Sequence, residues 1–280
     1  MPGAADALSA GRMHGRVLVI AGSDSGGGAG VQADLKTITA LGCFAASALT
    51  ALTAQNTMGV HGVHPVPAAF VRQQIGCVLS DIGADVIKTG MLADAATIEA
   101  VSDALAEWAP AIPVVVDPVM VAKGGQRLLA PDALETFKRR LLPRATLLTP
   151  NLPEAEVLAG VPIRDVDAMQ HAARALLGLG APAVLLKGGH LEGDTVVDLL
   201  ATQDGVEEFS DGRIETRHTH GTGCTLASAV AAGLAQGLRL SEAVVRGRRY
   251  VRCAILSAPG LGQGHGPLNH AVTVNPLLLG

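Results

Sequence analysis

Two periodicities alternate along this chain. Short runs of branched apolar residues give way to stretches in which apolar residues recur every three or four positions, the marks of buried strands and amphipathic helices. Residues 16–22 (RVLVIAG) read as a first strand, 23–30 as a glycine-rich loop and 31–41 as a helix. The unit recurs, with strands at 86–89, 113–117 and 146–149 and helices at 95–108 and 131–141. Beyond Pro150, helices at 153–159 and 166–177 lead to a strand at 183–187, and further helices follow at 223–236 and 241–257. Segments 195–200 and 206–214 are more polar and fit strands at a sheet edge. Repeated strand-then-helix units require a mainly parallel sheet, because each crossover returns the chain to the same end. The pattern predicts one doubly wound α/β domain over 15–280, with helices on both faces of the sheet and a loose tail at 1–14. Such sheets bind ligands at the carboxyl ends of their strands.

Composition narrows the partners. Of the 280 residues 49% are hydrophobic, yet no run approaches the roughly 18 apolar residues of a membrane span. Aromatic residues make up only 2%, so stacking on aromatic rings is a poor candidate for recognition. A net charge of −4 supplies no field for nucleic acid or an anionic membrane. Cys43, Cys77, Cys224 and Cys253 are scattered without a C-x-x-C pair, which argues against a zinc site or a disulfide framework. Reduced thiols in the cytoplasm are the expectation, and the first 14 residues lack the basic start and apolar centre of a secretory signal.

Four groups of residues carry candidate chemistry. The loop after the first strand, with Gly28-x-Gly30-x-x-Ala33, formally meets a dinucleotide fingerprint, but no Asp or Glu lies between Asp34 and Asp81 to hold a ribose. A P-loop is excluded because the chain contains no Gly-Lys dipeptide. Gly221-Thr222-Gly223-Cys224 opens a helix, where outward backbone N–H groups make an anion hole and a thiol pKa is commonly depressed; the other reading is a plain turn with a packed cysteine. Asp117 and Glu154 end adjacent strands and can share a magnesium ion beside a nucleotide, although Glu154 alone also suits a helix start. Lys187 ends another strand, where it offers charge to phosphate or simply faces water.

Together these segments resemble the ribokinase-like superfamily, and within it the hydroxymethylpyrimidine/phosphomethylpyrimidine kinases of thiamine biosynthesis, close to the pyridoxal kinases. The resemblance rests on AGSDSGGGAGVQADLK at 21–36, TALTAQN at 50–56, KTGML at 88–92, DPVM at 117–120, TPNLPE at 149–154, KGGH at 187–190 and HGTGC at 220–224. It implies an ATP- and Mg2+-dependent kinase that phosphorylates a small hydroxymethylpyrimidine and then its monophosphate. Ala29, Asp34, Gln55, Met91 and Val119 match the family's pyrimidine-contacting positions; core packing is the other reading of Met91 and Val119. The resemblance also puts Gly221, Thr222, Gly223 and Cys224 under the transferred phosphoryl group and Lys187 on ATP phosphate. Asn151, Glu154 and Thr222 fall on the nucleotide, with Asp117 and Glu154 near magnesium. Family members are often homodimers.

Related sugar kinases carry aspartate where this chain has Cys224. A fixed carboxylate would repel a phosphate nucleophile in a second phosphorylation, whereas a thiol would not. Pyridoxal phosphorylation is the alternative activity, and a non-catalytic binding protein on the same fold the alternative class. Segment 121–128 is expected to form a flap over the substrate. His190 and His220 are expected in solvated loops, and Arg246, Arg248, Arg249 and Arg252 on a solvated helix face.

Overall fold

The computed structural model describes residues 14–121, 125 and 128–274. The tail predicted at 1–14 lies outside them except for His14, as does most of the flap segment. Nine strands form a single sheet in the order β3-β2-β1-β4-β5-β6-β7-β8-β9. They are β1 Arg16–Asp24, β2 Phe44–Asn56, β3 Gly59–Pro65, β4 Val86–Thr89, β5 Val114–Val116, β6 Leu147–Leu148, β7 Ala183–Lys187, β8 Thr195–Thr202 and β9 Gly205–Gly212. From β2 to β7 every neighbouring pair is parallel; β3 at one edge and β8–β9 at the other are antiparallel. The polar segments near 195 and 206 are indeed an edge hairpin.

The central strands show why this sheet is covered on both faces. Along β1, Leu18 and Ile20 enter one apolar cluster while Val17, Val19 and Ala21 enter the other. The same division separates Val114 and Val116 from Val115, and Val184 and Leu186 from Ala183 and Leu185. Apolar side chains pointing both ways need helices on both sides. The first cluster is closed by α2 Ala68–Asp81, α3 Ala95–Trp108, α4 Ala133–Thr136, α5 Leu152–Ala159 and α6 Val166–Gly178. The second is closed by α1 Gly30–Ala40, α7 Thr222–Ala235 and α8 Leu240–Leu256. The helix predicted at 131–141 is divided: after α4 the chain winds as a π-turn over Phe137–Leu141 and a 3-10 turn over Leu142–Arg144, where Pro143 has no N–H to continue a ladder.

The arginines of α8 correct an expectation. Arg248 is largely buried, ion-paired to Asp198 at 2.8 Å and Asp211 at 3.0 Å. Arg246 donates to Gln236 and Arg252 to the Gly212 carbonyl, so these side chains tie α8 to its neighbours and to the edge hairpin. Only Arg249 is exposed as expected of a solvated face.

Strand order reverses between β1 and β4, and the loops leaving them open a crevice at their carboxyl ends. That crevice holds the candidate site.

Candidate active site

The glycine loop after β1 is built around Asp24. Its Oδ1 accepts from the Gly26 N–H at 2.8 Å, and its Oδ2 accepts from Gly28 at 3.1 Å, Ala29 at 2.8 Å and His220 Nε2 at 2.8 Å. Burial works against the charge, but the bonds from His220, Ala29 and Gly26 outweigh it and hold the carboxyl below its usual range. Sequence reasoning gave Asp24 no role. His220, expected in a solvated loop, is only 13% exposed at its side chain.

Below the loop lies a buried charge pair. Lys88 Nζ is 2.9 Å from both oxygens of Asp34, each side chain is 0% exposed, and Ser228 Oγ donates to Asp34 Oδ1 at 2.7 Å. Burial alone would strip the proton from Lys88, yet Asp34 holds its pKa above the ordinary lysine value. Asp34, expected at the pyrimidine, has no exposed surface and reaches the crevice through Lys88. Lys88 itself was legible as a lysine inside an apolar strand run, a position that demands a buried partner.

Above this pair is a cavity of about 60 Å3, the space of about two waters. Its walls include Ala29, Gln55, Met91, Val119, Leu128, Lys88 and Cys224, so four of the five pyrimidine candidates meet here and Asp34 alone does not. Val119 holds φ at 43°, a strained setting for a β-branched residue, directly after the Asp117-Pro118 step. A roomier groove of about 620 Å3 beside Arg174 and Gln203 contains none of these groups.

The second loop arrives from the far end of the chain. Gly221 has φ 83° and lies so close to the glycine loop that a Cβ would stand 1.8 Å from the Gly28 carbonyl oxygen, so glycine alone fits. Thr222 Oγ1 donates to the Thr219 carbonyl at 2.6 Å, and the first-turn N–H groups of α7 face the crevice end of the helix. Lys187 Nζ sits 3.1 Å from where a Gly223 Cβ would be, with Asp117 Oδ2 at 3.9 Å. The glycine turn that opens α7, Lys187 and Asp117 are therefore one cluster.

Cys224 departs from its expectation. It forms a wall of the cavity, and burial pushes its thiol up to about 12, against the opposing charge of Lys88 and a hydrogen bond from the Gly30 N–H. Desolvation exceeds the helix-end effect that would depress it. At neutral pH this residue is a thiol.

On the nucleotide side Lys187 Nζ is 3.0 Å from Asp117 Oδ1, which also accepts from Thr149 Oγ1 at 3.2 Å. Burial opposes the charge on Lys187, but Asp117 and Glu154 hold its pKa above the usual value. Asn151 and Glu154 form a capping box at the start of α5: Oδ1 of Asn151 accepts from the Glu154 N–H at 2.9 Å and Glu154 Oε2 from the Asn151 N–H at 2.9 Å. Glu154 Oε1 accepts from the Met120 N–H at 3.3 Å; burial, helped by Asp117, raises its pKa although Lys187 opposes the shift. Among the described residues no group of three His, Cys, Asp or Glu could cage a metal. Two carboxylates whose oxygens already accept hydrogen bonds instead fit a magnesium ion held mainly by water and nucleotide phosphates.

A reversed-order parallel sheet, a backbone anion hole free of any P-loop, and a lysine–carboxylate pair beside a small apolar cavity define a ribokinase-like small-molecule kinase. The family model for phosphomethylpyrimidine kinase matches residues 24–269, and the chain belongs to that family. It is 56% identical over 257 residues to the thiamine biosynthesis bifunctional protein ThiED of Geobacter sulfurreducens, covering 92% of this chain and 52% of that protein, so it spans about half of that relative. It is 52% identical to the hydroxymethylpyrimidine/phosphomethylpyrimidine kinase of Streptomyces coelicolor, covering 91% of this chain and 93% of that one. Among solved structures, the pyridoxal kinase of Staphylococcus aureus in complex with AMP-PCP and pyridoxal superposes with a TM-score of 0.85 at 36% identity, over 92% of this chain and 94% of that one.

Proposed function

We propose that this protein transfers the γ-phosphoryl group of ATP to the hydroxymethyl group of 4-amino-5-hydroxymethyl-2-methylpyrimidine, and then to the resulting monophosphate, in thiamine biosynthesis. The observation that carries the reading is the convergence of Lys187, Asp117 and the Gly223 backbone next to Cys224, which lines a cavity together with Gln55, Met91 and Val119.

The geometry supports the following roles. The ring lies between Met91, Val119 and Ala29, with the Gln55 amide on its polar edge, which sets the hydroxymethyl group toward Cys224. Gly221, Thr222, Gly223 and Cys224 offer backbone N–H groups to the oxygens of the transferred phosphoryl, and Lys187 draws charge off the phosphates as they separate. Magnesium, near Asp117 and Glu154, would neutralise phosphate charge when bound. Asn151 and Thr222 border the nucleotide. The Cys224 thiol presents no fixed negative charge, so an anionic second nucleophile is admitted; its neutral state also means that the first hydroxyl reacts without a resident strong base, as a loose transition state allows.

Likeness to pyridoxal kinases makes pyridoxal the competing substrate. A coupled ATP-consumption assay with magnesium on hydroxymethylpyrimidine, its monophosphate and pyridoxal tests both readings. Turnover of both pyrimidines is expected; turnover of pyridoxal alone overturns the substrate assignment, and no turnover leaves a binding protein. A cytoplasmic homodimer is the working state. Exposed Leu52, Met58 and Val63 beside the β3 edge support self-association, and sedimentation at micromolar concentration decides it.

A further inference from the structure

One nitrogen of His220 faces two neighbours that make opposite demands. Its Nε2 lies 2.8 Å from Asp24 Oδ2 and 3.3 Å from the Gln55 amide nitrogen. An ionised carboxylate only accepts hydrogen bonds, so Nε2 carries its proton whatever the charge of the ring. A protonated Nε2 has no lone pair for the Gln55 NH2, and two donors would confront each other. A second conflict lies on the other side of the same amide. Thr53 Oγ1 stands 3.3 Å from Gln55 Oε1, but its single proton is already given to the Ser23 carbonyl at 2.8 Å.

Turning the amide by 180° removes both conflicts, and the two ends of a glutamine amide are assigned from their partners rather than from their shape. Oε1 then accepts from His220 Nε2–H, which it shares with Asp24, and the NH2 donates to the free lone pair of Thr53. The backbone of Gln55 is pinned meanwhile, because Ser25 Oγ donates to its carbonyl and accepts from its N–H, each at 2.8 Å. Only the side-chain amide has a choice to make, and its neighbours make it.

We propose that His220, through its Nε2 proton, fixes the Gln55 amide in this one setting and so makes the site selective for the edge of a 4-aminopyrimidine. The second N–H of the amide donates to a ring nitrogen, and the second lone pair of Oε1 accepts from the neighbouring exocyclic amine. A 4-oxopyrimidine presents the reverse order, a ring N–H beside a carbonyl, and meets donor with donor and acceptor with acceptor. His220 is thus a positioning residue that acts through Gln55; the inference rests on Gln55 being the ring contact of the proposed function.

The test compares kcat/KM for the 4-amino substrate and its 4-oxo analogue in the native protein, His220→Leu and Gln55→Ala. The native protein is expected to prefer the amine by roughly 10- to 100-fold, the worth of one bidentate pair. His220→Leu, with the amide free to turn, brings the two substrates to near parity. An unchanged preference in His220→Leu overturns the inference and leaves the substrate reading intact. If Gln55→Ala leaves the KM of the amine unchanged, the ring contact assigned to Gln55 falls and the inference with it, while turnover of the pyrimidines still decides the proposed function. A long-range proton–nitrogen correlation of the native histidines reads the same point without a variant: Nε2 of His220 is expected protonated at neutral pH, and a bare Nε2 refutes the proposal.

Discussion

Two lysines on parallel strands of the same sheet, Lys88 on β4 and Lys187 at the end of β7, each pair with an aspartate, yet their surroundings differ. Lys88 is 0% exposed, and both oxygens of Asp34 accept from it while Ser228 secures the far side. Lys187 is 13% exposed, holds Asp117 through one oxygen, and lies against the bare backbone of Gly223. Lys88 is held by both oxygens of one buried carboxylate, whereas Lys187 holds a single oxygen and, in the proposed function, can trade it for a phosphate. The contrast shows that two lysines on strands of one sheet can differ in burial and in how their carboxylate holds them, and that difference is what variants can test.

Four experiments press on that contrast. Lys88→Met strands the Asp34 carboxylate in the core and is expected to lower stability by about 3–5 kcal/mol in urea unfolding; adding Asp34→Leu should restore most of it, and a single variant as stable as the parent would make the pair dispensable. Lys187→Met is expected to lower kcat by roughly 100- to 1,000-fold, the worth of one donor to developing charge, with less than half the stability loss of Lys88→Met. Acid gives a smaller effect. Burial, aided by Lys36 and His220, pushes His270 down to about 4, so it stays neutral in the fold while the unfolded chain takes up a proton below about 6.5. Unfolded chains then bind more protons, and stability should fall by up to about 3 kcal/mol as pH drops from 6.5 to 4; His270→Phe should flatten that slope in melts across this range. Last, Cys224→Asp returns a carboxylate to the crevice and should slow phosphorylation of the monophosphate more than that of the alcohol, by about tenfold. Equal slowing of the two steps would show that charge is not why a thiol stands there.

Much of the fold was written in the apolar runs. The central stretches of β1, β4, β5, β6 and β7 are buried on both faces, so their sequences are mostly apolar and easily read. The region 44–81 gave no such signal. β3 is GVHGVHP, a half-exposed edge strand whose pattern lacks a buried face, and α2 buries only Val71 and Ile75. In the candidate site, the placement of Gly221, Gly223, Lys187, Asp117 and Gln55 at loop and strand ends was legible. The thiol state of Cys224 was not, because it depends on how tightly α7 and the glycine loop close around it. The partnership of Lys88 with Asp34, and of Asp24 with His220, joins residues 54 and 196 positions apart, and no local pattern records such distances.

The contact between Gly28 and Gly221 also sets an order of events. One side of that contact is synthesised early and the other only after most of the chain has emerged. A chain that ends before residue 220 carries Gly28 but not the turn at 221–224 that packs on it. In such a chain the proposed kinase would lack the turn that faces the transferred phosphoryl group, so activity is expected only after residues 221–224 have folded onto the glycine loop.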